Sequence, residues 1–72
     1  MAMKTPYYQT YDVAALELTR AALAKTYPHL HFIAVADPVL SGAYRIAAHL
    51  RTHGALRGFV TVNNQDELMV KT

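Results

Sequence analysis

The sequence predicts an α+β two-layer sandwich of element order β-α-β-α-β-β, with two helices packed on one face of a four-stranded mixed sheet. Two observations carry that expectation. A helical stretch that runs into a turn and then into a β-branched apolar run occurs twice, over residues 22–36 and again over 48–63. The chain has 72 residues, 53% hydrophobic and 17% charged, which suits one domain spanning 1–72 around a single closely packed core.

The elements follow in order. Thr5-Pro6-Tyr7-Tyr8-Gln9-Thr10-Tyr11 is aromatic and β-branched, as a short edge strand would be with its proline near the start. Asp12 reads as an N-cap, and from Val13 to Thr26 nearly every residue is a good helix former, with Val13, Leu16, Leu23 and Tyr27 on one stripe. Pro28 ends that helix. Leu30 to Ala36 is a short apolar run bounded by Pro28 and Pro38, and reads as a buried strand.

Two readings compete over residues 38–53. With period two, Tyr44, Ile46, Ala48 and Leu50 alternate with Arg45, His49 and Arg51, as in an amphipathic strand. With period 3.6, Val39, Ala43, Ile46, Ala47 and Leu50 form one stripe, Asp37 caps it, Pro38 opens it and Gly54 stops it. Gly42 counts against a helix by about 1 kcal/mol relative to alanine. The doubled helix-to-strand unit decides for the helix. Leu56 to Val62, a turn at Asn63-Asn64-Gln65-Asp66 and a last strand over 68–70 complete the order.

That order, at this length, resembles the TusA/SirA-like family of small sulfur-carrier proteins. The resemblance rests on Arg20-Ala21-Ala22-Leu23-Ala24, on Phe32-Ile33-Ala34-Val35-Ala36-Asp37-Pro38 and on residues 56–71. Members of the family open their first helix with a Cys-Pro-x-Pro motif whose thiolate carries a persulfide. Asp12-Val13-Ala14-Ala15 stands at that place, with neither the cysteine nor a proline. A carboxylate caps a helix but bonds no transferable sulfur. What the resemblance implies is therefore the family's scaffold without its carrier chemistry.

Composition narrows the function classes. Without cysteine there is no disulfide, thiolate metal site or thiol nucleophile. The longest apolar run is far too short to span a bilayer, and Met1-Ala2-Met3-Lys4 is no secretion signal, so no membrane role and a cytoplasmic location are expected. The acidic residues form no catalytic pair and Ser41 sits in no nucleophile motif, so catalysis is not expected.

The first expectation is thus a non-catalytic TusA-like module that binds a macromolecule, a protein or a second copy of the chain. It would use a sheet edge and the residues Tyr7, Tyr8, Asp12 and Asp37. Nucleic acid is the alternative partner, held by an edge carrying Arg45, Arg51 and Arg57 together with His49 and His53, in a chain of net charge +2. The third is a metal site. His29 and His31 share one strand face, and His49 and His53 stand one helical turn apart, a set suited to zinc, copper or nickel. No other cofactor is expected.

Overall fold

Among the described residues one helix and four strands follow one another: α1 (Val13–Thr26), β1 (Leu30–Ala36), β2 (Tyr44–Leu50), β3 (Leu56–Val62) and β4 (Leu68–Lys71). The structure is a computed structural model that describes residues 7–52, 54–63, 65 and 67–71. The strands form one sheet in the order β1-β2-β3-β4, every neighbouring pair antiparallel. The fold is therefore a four-stranded meander with one helix, and not the two-helix sandwich on a mixed sheet that the sequence predicts.

Helix α1 begins and ends where its residues require. Asp12 has extended backbone and its Oδ1 accepts from the Ala14 and Ala15 N–H groups, at 2.9 and 3.2 Å. At the far end the Tyr27 N–H still donates to the Leu23 carbonyl, and Pro28 follows. Leu16 and Leu23 are buried under the helix and Tyr27 is half-buried, while Val13, expected on the same stripe, is exposed.

The correction falls on residues 38–53. Residues 44–50 are extended as β2, paired along their whole length with β1 from Leu30↔Leu50 to Ala36↔Tyr44. The start signal for a helix at Asp37-Pro38 is nevertheless physically real. Asp37 Oδ1 accepts from both the Val39 and Leu40 N–H groups at 2.8 Å, as an N-cap carboxylate does. One turn follows, and then Gly42 takes a φ of +87°, which reverses the chain into β2. The Asp37 N–H donates to the Ala43 carbonyl and closes the connection as a hairpin. A hairpin makes β1 and β2 antiparallel, whereas the expected helical crossover would have made the sheet mixed.

Gly42 carries a test of that account. A Cβ there would meet only the Tyr11 ring, at an ordinary 3.8 Å, so the strain of Gly42→Ala is confined to the backbone. Placing alanine at this positive φ is expected to destabilise the fold by about 1–2 kcal/mol. Urea unfolding with an unchanged m-value would show it.

Thr5 and Pro6 of the expected N-terminal strand lie outside the described residues, and the described part of it, from Tyr7 to Tyr11, makes two isolated bridges, Tyr7↔Thr61 and Thr10↔Tyr44. β2 and β3 pair directly only between Ala47–His49 and Leu56–Phe59. Beyond that stretch the N-terminal segment takes up their backbone groups. The Tyr8 N–H donates to the Val60 carbonyl, and Thr10 and Tyr44 exchange both of their hydrogen bonds. β3 and β4 are joined by a turn at Asn63, whose Oδ1 accepts from the Gln65 and Glu67 N–H groups at 2.9 Å.

Leu16 and Leu23 of the helix meet Leu30, Phe32, Ile46, Ala48 and Val60 of the sheet, with Tyr8, Tyr27, Leu68 and Val70 around them. Alternation then sends the intervening residues to the opposite, helix-free face. Among the described residues no helix is long and apolar enough to cross a membrane.

Candidate functional site

The helix-free face is built by register. His31 lies directly opposite His49, Ile33 opposite Ala47, and Val35 opposite Arg45. Ala47 in turn faces Phe59 on β3, which faces Lys71 on β4. A register shift between Ala48 and His49 brings Leu56, rather than Arg57, opposite His49. His31, His49 and Leu56 therefore stand in one row across three strands. Beside that row a cleft of about 380 Å³ is lined by His31, Ile33, His49, Leu50, Arg51 and Gly54.

Its best-defined polar contact is the His49 ring. Nδ1 lies 3.0 Å from the Gly54 carbonyl oxygen. A carbonyl only accepts, so Nδ1 carries the proton and Nε2 is the nitrogen left for other partners. Gly54 is held for this contact by its φ of +68° and by its N–H, which donates to the Leu50 carbonyl at 2.7 Å.

At the other end of the same face lies a polar clamp. Arg45 Nε donates to Asp37 Oδ2 at 3.0 Å, and the Gln9 amide donates to the same oxygen. The Arg45 guanidinium sits 4.1 Å above the Tyr7 ring, which meets Phe59 edge-on at 6.0 Å. The Asp37 side chain is fully covered. Burial pushes its pKa up, but the N–H groups of Leu40 and Val39, then Gln9 and Arg45, outweigh burial and hold the carboxyl well below its ordinary value.

The residues singled out by sequence therefore divide. Tyr7 lies on the helix-free face against Arg45 and Phe59, and Tyr8 on the core side, where its hydroxyl is 3.1 Å from Thr19 Oγ1. Asp12 and Asp37 are both engaged by backbone N–H groups, so each acts first as a cap. Arg45, Arg51 and Arg57 have different neighbours. Arg45 is paired with Asp37, Arg51 lines the histidine cleft, and Arg57 lines a second cavity of about 300 Å³ with Tyr27, His29, Leu30, Met69 and Val70.

The four histidines are likewise divided. His31 and His49 face each other, His29 lies against Tyr27 in the second cavity, and His53 is outside the described residues. Among the described residues no group of three or more histidine or acidic side chains is placed to hold a metal ion.

Sequence reasoning missed Gln9 and the Gly54 carbonyl. A glycine after a strand signals a turn, but nothing local says which ring its carbonyl will receive. Nothing in the sequence around Gln9 marks it as a partner of Asp37. Comparison of the chain with protein-family models, curated proteins and solved structures finds no match.

Proposed function

We propose that the chain is a non-catalytic protein-association module that adds a strand along β1. The single observation behind this reading is the character of that edge. β1 ends the sheet, is seven residues long, and among the described residues no strand pairs with its outer side. Its sequence, Leu-His-Phe-Ile-Ala-Val-Ala, has no lysine, no proline and no acidic residue, the usual devices that keep an edge from pairing. The other edge, β4, has only four residues. The proposal keeps the protein partner of the TusA-like expectation without the two-helix frame.

A second copy of the chain fits the edge well. Antiparallel self-pairing about Ile33 sets Phe32 opposite Ala34, Leu30 opposite Ala36 and His31 opposite Val35, so large residues meet small ones and like charges never oppose. Such an interface is self-complementary, as two-fold symmetry requires. It would join two meanders into one eight-stranded sheet.

Sedimentation velocity over a concentration series tests the reading. Wild type is expected to shift from monomer to dimer with rising concentration. Ile33→Lys, at an exposed position where a new charge disturbs no core contact, is expected to remain monomeric with an unchanged far-ultraviolet spectrum. A wild-type chain that stays monomeric at the highest soluble concentration, or a dimer that Ile33→Lys leaves intact, removes self-pairing at β1.

A further inference from the structure

We infer that His31 and His49 form a two-imidazole site for a divalent transition-metal ion, with remaining coordination positions open to water or an exogenous ligand. Three features point there. The two residues are register partners on adjacent antiparallel strands and share the helix-free face. Side chains so opposed have Cβ atoms roughly 4.5–5.5 Å apart, which lets two ring nitrogens converge on one ion at a Zn–N distance of about 2.0–2.1 Å. Both rings line the same cleft, so the ion would have space beside the sheet.

The third feature is the most specific. His49 donates from Nδ1 to the Gly54 carbonyl, which fixes the tautomer and leaves the Nε2 lone pair for a metal. A backbone carbonyl holding the far nitrogen of a ligating histidine is the usual outer support of a metal site. His31 is exposed, so its ring can rotate to complete the chelate.

Among the described residues, Arg51 is the cationic side chain lining the cleft. Its cation disfavours a bare ion, and it favours an anion, such as a carboxylate, as the exogenous ligand on the open positions. Two neutral imidazoles with open positions suit borderline ions, with copper(II) above zinc in intrinsic affinity. This site does not depend on strand addition at β1, since His31 keeps its place on the face whether or not the edge is paired.

The test uses the full chain without an affinity tag and adds zinc chloride alone. Titration calorimetry is expected to show one zinc per chain, with affinity falling about tenfold or more in His31→Asn and in His49→Asn. His29→Gln is expected to bind as wild type does, because His29 lies in the second cavity. Nitrogen-resolved imidazole NMR supplies the finer readout: zinc shifts the His49 resonance through Nε2 while Nδ1 keeps its proton. Absence of zinc binding, binding that survives loss of either His31 or His49, loss of binding in His29→Gln, or coordination through His49 Nδ1 would overturn the assignment.

Discussion

Replacing Phe32 with alanine is expected to destabilise the fold by about 3–5 kcal/mol. Phe32 is 2% exposed, sits at the centre of β1 and shares the core with both buried leucines of α1. Tyr27 packs against it at a ring-centroid distance of 6.1 Å. A domain of this length has roughly 4–11 kcal/mol of total stability, so the loss is a large part of the whole. The core cluster around Phe32 draws on the helix and three different strands, elements that would have to move together to fill the space. Ile46→Val, which removes one methyl group from a fully buried side chain in the same cluster, supplies the graded control at about 0.5–1.5 kcal/mol. Urea midpoints for the two variants check both figures. A Phe32→Ala loss no larger than that of Ile46→Val would mean that the helix does not seal this face of the sheet.

The local elements of the fold were legible because local chemistry sets them. Asp12 and Pro28 bracket α1, and Pro28 and Pro38 bracket β1, at the residues where the structure begins and ends them. β3 and the turn at Asn63 were readable for the same reason. Residues 38–53 were not, because the two signals there act on different lengths of chain. The Asp37 cap is local and forms as expected, yet it stabilises only one turn before Gly42 redirects the backbone. The alternation of Tyr44, Ile46, Ala48 and Leu50 is rewarded only when β1 and β3 lie on either side, and those contacts reach across turns to other strands, beyond the span of a single helical turn. The repeated helix-to-strand pattern weighed the local signal too heavily.

The sites were legible to a similar depth. The capping chemistry of Asp12 and Asp37 was readable because each cap is local to its own turn. The opposition of His31 and His49 could not be seen while residues 44–50 were read as helical, since it exists only in the antiparallel register. The sequence groups the three arginines as one basic edge but carries no sign of their individual neighbours. The β-bulge and the Asp37 pair send them to three different surroundings.

Asp37 is expected to be the polar residue whose loss costs the fold most. Its carboxylate joins three parts of the chain: the N-terminal segment through Gln9, the β1–β2 turn through Val39 and Leu40, and β2 through Arg45. Asp37→Ala removes all of these acceptors and leaves the Arg45 guanidinium, largely covered, beside Tyr7 without a counter-charge. Asp37→Asn keeps an oxygen for the turn but loses the charge, so its thermal midpoint is expected between those of wild type and Asp37→Ala. The acid response follows from the lowered pKa. An unfolded aspartate titrates near about 3.9, and the folded group titrates below that. The stabilisation is therefore fully present above the unfolded value and is lost as pH falls through the folded one. The gap between the denaturant midpoints of wild type and Asp37→Asn, measured from pH 7 down to pH 2, should narrow progressively once pH falls below the unfolded value, and taking their difference cancels the acid response they share. A gap that stays constant over that range would show that the carboxylate's charge contributes nothing and that only its shape is needed.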